Sequence, residues 1–223
     1  MALGKILRIN PLASGSKAYT VPSDNPFVGK ANSLPEIWAY GLRHPQNLSF
    51  DRGGSRVFII IDIGQANVDE VNRGVKGENY GWSLREGTFV TDRAGSVPLY
   101  KLPGNDATYG FTYPVLQYDH TEGQAIVGGY VCRGSAVPKL TGHYLFGDLV
   151  YGRVFHVPVA NLVLGQQAEF KELRLFKGGK EVSLLGLVDG TNDRVDLRFG
   201  QDEVGAVYIM TKQEGTIYRL RPA

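Results

Sequence analysis

The chain has 223 residues, 43% hydrophobic and 21% charged, an ordinary globular composition with enough length to bury a substantial core. Its 24 basic and 22 acidic residues leave a net charge of +2, which offers no field for a nucleic acid or an acidic membrane surface and directs the search to local sites. The single cysteine, Cys132, excludes an intrachain disulfide framework and a thiolate-rich zinc site, and the longest apolar run, residues 57–61, falls far short of the ~20 residues of a membrane helix.

No basic and apolar leader precedes GKILRIN, and the chain enters a strand-like segment almost at once. Helical periodicity is nearly absent, while short β-branched and aromatic runs recur between turn signals, which predicts an all-β protein. Strands are expected at 5–9, 37–42, 47–51, 56–61, 113–118, 125–132, 143–146 and 152–157, then at 170–176, 182–188, 195–199, 206–211 and 216–219. Two insertions, 10–35 and 87–112, are rich in Gly, Pro, Ser and Asn and read as long surface loops, the usual carriers of function on a β scaffold.

Three stretches share one pattern, a strand, an acid-and-glycine turn and a second apolar strand: NLSFDRGGSRVFIII, YLFGDLVYGRVFHV and LRFGQDEVGAVYIMT. Such a weak repeat suits the blades of a β-propeller, although a β-sandwich would also account for many short strands.

The stretch DIGQANVDEVNRGVKGENYGW places Asp69 and Glu70 side by side between two turns. On a regular strand successive side chains alternate faces, so one or both acids are expected in a bend. A hard cation such as Ca²⁺ takes six to eight oxygens, mixing carboxylates with backbone carbonyls, and the turns at Gly64-Gln65 and Asn79-Tyr80-Gly81 can supply carbonyls. An acid pair that is solvated or caps backbone N–H groups is the plainer account, and the spacing is not that of an EF-hand.

Several blocks resemble, in order and over most of the chain, the soluble glucose/sorbosone dehydrogenase family of aldose dehydrogenases dependent on pyrroloquinoline quinone (PQQ). They are GKILRINP, VPSDNPFVG, PEIWAYGLRHPQNLSFD, DIGQANVDEVN, GENYGWSLREG, IVGGYVCRG and YLFGDLVYGRVF. The resemblance implies a six-bladed β-propeller, with PQQ over the central channel, Ca²⁺ near it, an aldose oxidised at its anomeric hydroxyl, and a periplasmic or extracellular location. It places Arg43 beside the reacting quinone carbonyl and His44 at a cofactor-contacting position that is usually asparagine. Gly64, Gln65 and Tyr80 then offer backbone oxygens to calcium and Glu70 a carboxylate, with Asp69 close by.

The chain departs from the family pattern in three places. Leu149-Val150-Tyr151 stands where quinone-binding members carry a lysine, and paired arginines of the last blade are not clearly reproduced across residues 193–198. None of His44, His120, His143 or His156 matches the family's general base, which comes from an earlier blade; His120, in QYDHTEGQ, lies in a family-like block and is expected to face the cleft, while His143 and His156 are expected to pack or meet solvent in strands. At about 45 to 50 residues per blade the chain amounts to roughly four of six blades in one partial domain, residues 1–223. It is expected to begin near the middle of the ring, as a truncated reading frame or fragment, with open edges that favour self-association.

The alternative to a sugar dehydrogenase is a catalytically inactive calcium-binding propeller for protein or glycan contact. Asn47-Leu48-Ser49 fits a glycosylation acceptor but falls in an expected buried strand, and the acid-rich run 189–196 reads as a solvated turn.

Overall fold

The computed structural model describes residues 2–12, 15–91, 99–188 and 193–222. In chain order the strands are β1 (Lys5–Leu7), β2 (Asn10–Pro11), β3 (Tyr19–Thr20), β4 (Ile37–Tyr40), β5 (Pro45–Phe50), β6 (Phe58–Asp62), β7 (Val68–Arg73), β8 (Arg85–Glu86), β9 (Phe89–Val90) and β10 (Tyr100–Lys101). They continue with β11 (Leu116–Asp119), β12 (Ile126–Val127), β13 (His143–Asp148), β14 (Val154–Pro158), β15 (Lys171–Glu172), β16 (Leu175–Lys177) and β17 (Lys180–Val182). One helical turn, α1 (Leu184–Leu187), precedes β18 (Leu197–Gln201), β19 (Val207–Thr211) and β20 (Thr216–Arg219).

The strands form antiparallel sheets in succession: β1-β4, then β11-β7-β6-β5, then β12-β13-β14-β15, then β18-β19-β20. Cores lie between consecutive sheets. Ile6, Ala39, Leu42, Ile60 and Tyr80 join the first two. Ile59, Ile61, Val71, Leu116 and Tyr118 meet Tyr144, Phe146, Phe155 and Val157 in the next gap, and Leu145, Val154 and Val127 meet Leu197, Phe199 and Ile209 in the last. This is the face-to-face stacking of blades in an incomplete propeller of the six-bladed type.

It also explains why residues 59–62 are all buried. Ile59 and Ile61 face one neighbouring blade and Ile60 and Asp62 the other, so neither face of β6 meets water.

Each copy of the weak repeat is one antiparallel hairpin of a blade: β5-β6, β13-β14 and β18-β19. The acid of each turn caps backbone N–H groups. Asp51 Oδ2 accepts from Ser55 N at 2.8 Å and Asp202 Oδ1 from Ala206 N at 2.8 Å. Asp148 Oδ1 accepts from Gln124 N at 2.7 Å, tying the turn to the approach of the innermost strand. Asp51 also takes the Arg133 guanidinium in a bidentate pair of 2.8 and 2.6 Å, clamping this blade to the next.

Several expectations are corrected. The run 182–188 is not a strand: Ser183 Oγ accepts from Gly186 N at 3.0 Å and starts α1 instead, and 170–176 is broken into β15 and the start of β16. The insertion 87–112 carries order as well as loop, since β9 and β10 pair in it and β8, just ahead of it, pairs with β9. Arg85 anchors this insertion, donating from Nε and Nη2 to Asp106 Oδ1 at 3.0 and 2.6 Å and lying over the rings of Tyr109 and Phe111. Part of that insertion, 92–98, and part of the acid-rich run, 189–192, lie outside the described residues.

Candidate functional site

The expectation that Asp69 or Glu70 sits in a bend is overturned. Both lie within β7, a regular strand paired on both sides, and they point to opposite faces as strand geometry requires. Each acid therefore belongs to a different blade interface.

Asp69, fully buried, faces the β12-β15 blade. Its Oδ1 accepts from Gly64 N at 3.0 Å and its Oδ2 from Ile126 N at 2.8 Å, so one carboxylate fixes the Gly64-Gln65 turn and the first residue of the next blade. His120 Nε2 lies 3.8 Å from Asp69 Oδ1, and the buried Tyr118 phenol, raised well above its ordinary pKa by burial first and the Asp69 charge second, lies on the same face. Burial raises the Asp69 carboxyl as well, opposed by the Gly64 N–H.

Glu70 faces the other way, onto the side that carries Ile60 and Tyr80. In the ladder it stands opposite Asp62, while Asn72, two residues on, stands opposite Ile60, so Asp62, Glu70 and Asn72 share one buried face. Glu70 Oε1 accepts from Gly87 N at 2.6 Å and Oε2 from Asn72 Nδ2 at 2.8 Å. The Asn72 Oδ1 atom is buried with no hydrogen-bond partner. Burial pushes Asp62 up to about 7 and, with the Asp62 charge adding to it, Glu70 up to about 8.

Asp62 also fixes the Arg43-His44 peptide. Its Oδ2 accepts from Arg43 N at 2.8 Å and its Oδ1 from His44 N at 2.6 Å. The Arg43 side chain, half-buried, donates from Nε and Nη2 to Gln65 Oε1 at 3.1 and 2.8 Å, which holds the guanidinium against the Gly64-Gln65 turn.

The turn itself is shaped by Glu86, which sequence reasoning missed. Glu86 Oε1 accepts from the successive amides of Ala66, Asn67 and Val68 at 3.1, 2.8 and 3.0 Å, a nest of N–H groups closed on a buried carboxylate. The Gly64 position fits against this oxygen: a Cβ there would lie 2.7 Å from Glu86 Oε1 and 2.0 Å from Val68 O.

The structure thus gathers Arg43, His44, Gly64, Gln65 and Asp69 at one end of the β5-β6-β7-β11 sheet. Glu70 lies one residue along β7 on the reverse face, where Asp62 and Asn72 join it. Tyr80 packs its ring into the core on Glu70's side, with its hydroxyl donating to Arg73 O at 2.8 Å and its amide to Tyr40 O at 2.9 Å. Glu70 itself holds Gly87, in the turn between β8 and β9.

The donor chemistry suits a hard cation. Two buried carboxyl groups are strained toward protonation, and an amide oxygen next to them lacks a partner. Among the described residues no three His, Cys, Asp or Glu side chains converge as a metal set, so a cation here would draw on backbone and amide oxygens as well.

The sequence matches the family described as Glucose / Sorbosone dehydrogenase over residues 1–219. It is 42% identical over 221 residues to the uncharacterized protein slr1608 of Synechocystis sp., covering 98% of this chain and 45% of that protein. It is 37% identical over 164 residues to the HIPL2 protein of Arabidopsis thaliana, covering 66% of this chain and 23% of that protein. A crystal structure of a glucose dehydrogenase superposes with a TM-score of 0.63 at 23% identity, covering 99% of this chain and 55% of the other, a likeness of fold. The chain spans about half of these proteins' length or less.

Proposed function

This chain belongs to the glucose/sorbosone dehydrogenase family, and we propose that it forms part of a PQQ-dependent dehydrogenase that oxidises aldose sugars at the anomeric hydroxyl, with Ca²⁺ as the second cofactor. The observation that carries this reading is the Arg43 guanidinium, held by two donors on the single Gln65 Oε1, beside the Asp62-Glu70-Asn72 oxygen cluster. A cation-holding face and a fixed guanidinium share one end of one sheet.

Bound PQQ supplies the two-electron acceptor that the side chains of the twenty amino acids lack. The residues of this chain supply position and charge. Asp62 orients the Arg43-His44 backbone, Gln65 holds the guanidinium, and the resulting immobile positive charge stabilises negative charge developing on an oxygen placed against it. Asp69 and Glu86 fix the turn whose Gly64 and Gln65 carbonyls face calcium in this reading. Asp62, Glu70 and the unpartnered Asn72 oxygen are the buried groups that a divalent cation would neutralise. A periplasmic or extracellular site of action accompanies this reading, and no helix among the described residues is long and apolar enough to cross a membrane.

Dye-linked oxidation of aldoses by the full gene product, supplied with PQQ and Ca²⁺, tests the proposal. Arg43→Ala is expected to lower kcat/KM by about 100-fold, the usual cost of removing one charge-stabilising donor. A protein that stays inactive after both additions contradicts the proposal. It would favour the second reading, a calcium-binding propeller without catalysis, which His44 and the Leu149-Val150-Tyr151 turn support.

A further inference from the structure

His143 and His156 stand apart from the Arg43 end of the neighbouring blade and have no part in the reading above. His143 opens β13 and shares a face with Leu145, the cross-strand partner of His156 on β14. The two rings therefore meet diagonally across the hairpin, both half-buried. Their Nδ1 atoms are 2.8 Å apart, with ring centroids 5.0 Å apart and planes inclined by 39°.

Two nitrogens at that distance share one proton: one ring is the Nδ1–H tautomer and its neighbour presents an Nδ1 lone pair. Burial lowers the pKa of both imidazoles, and for His156 the neighbouring His143 and the Lys171 ammonium on β15 lower it further. Both rings are thus held in the neutral form that binds metals.

We propose that His143 and His156 form a two-histidine site for a borderline transition-metal dication, Ni²⁺ or Cu²⁺, bound through both Nδ1 atoms with water completing the coordination. Imidazole nitrogen suits these ions, and they stand above the earlier first-row dications in the affinity order, which favours them at this site. The rings now face each other nearly head-on, and each turns about its Cβ–Cγ bond to aim its lone pair at a common point. The bridging proton moves to Nε2 of its own ring, both rings become Nε2–H tautomers, and no net proton is released.

No third His, Cys, Asp or Glu joins the pair as a metal set among the described residues, which makes the site an exchangeable chelate. It differs in kind from the oxygen-lined face around Glu70, because imidazole nitrogen selects these ions over Ca²⁺.

The test is calorimetric titration of the untagged chain with NiCl₂ in Ca²⁺-containing buffer, beside His143→Gln and His156→Gln, each checked for folding by far-UV dichroism. The expected result is one saturable Ni²⁺ site whose affinity falls at least about tenfold in either variant. Its heat should not change with the ionisation enthalpy of the buffer. Absence of saturable binding, or binding undiminished by either substitution, overturns the proposal. Should a variant fail to fold, electron paramagnetic resonance of the Cu²⁺-loaded natural chain decides: hyperfine structure from two imidazole nitrogens supports the site, and fewer than two overturns it.

Discussion

Replacing Glu86 with alanine is expected to destabilise the chain by on the order of 4 kcal/mol, because it strips the acceptor from three neighbouring amides at once. Each unsatisfied buried amide costs about 1 to 3 kcal/mol, and the amide of Val68 is deeply buried. Water can enter near Ala66 and Asn67 and recovers part of the loss, which sets the estimate below the full sum. Glu86→Gln keeps an acceptor oxygen in the nest and should lose about 1 to 2 kcal/mol, the difference between a charged and a neutral acceptor. Urea unfolding measures both variants, and amide hydrogen exchange locates the damage. Protection should fall first at residues 66–68. A Glu86→Ala loss below about 1 kcal/mol, within the range of an ordinary surface substitution, would show that the nest does not hold the turn.

The second large effect is a dependence of stability on pH in the absence of metal. Asp62 and Glu70 have folded-state pKa values of about 7 and about 8, raised from 3.8 and 4.5. A carboxyl whose pKa is raised by folding binds its proton more tightly in the native state. Its contribution is fully present below the unfolded value and is lost as pH rises through the folded value. The chelator-treated chain should therefore lose several kcal/mol of stability between about pH 4 and pH 8, at about 1.4 kcal/mol per pH unit for each carboxyl between its unfolded and folded values. Glu70→Gln removes one of the two charges and should flatten the profile. Thermal melts in EDTA at pH 5 and pH 8 provide the measurement. A midpoint that holds steady or rises over this range contradicts the electrostatics assigned to this face.

The fold was legible where burial follows simple alternation. The hairpins β5-β6, β13-β14 and β18-β19 were visible as a repeated strand, acid-and-glycine turn and strand, because each is a directly connected antiparallel pair and each turn acid caps nearby amides. β7 escaped for the opposite reason. Val-Asp-Glu-Val-Asn-Arg is too polar to read as a strand, yet all but Arg73 are buried, since the polar side chains find partners in the adjoining blades. The helical turn at 184–187 was hidden by a leucine-rich run that periodicity cannot assign at such short length.

The site divides in the same way. Arg43, Gly64, Gln65 and Asp69 were singled out and the structure brings them together, but the strand geometry that sends Asp69 and Glu70 to opposite blades depends on pairing partners far along the chain. Asp62 carried a signal of its own, an acid closing the wholly apolar run Ile59-Ile60-Ile61, where an unpaired charge is costly. Glu86 and Asn72 carried none, for their roles exist only once the loop folds back onto the sheet.

Calorimetric titration of the chelator-treated chain with Ca²⁺ at pH 8 addresses the oxygen-lined face most directly. The structure predicts saturable Ca²⁺ binding that raises the melting temperature and is abolished by Glu70→Gln. Absence of saturable heat, or binding that survives Glu70→Gln unchanged, would contradict the assignment of Asp62, Glu70 and Asn72 to a divalent cation.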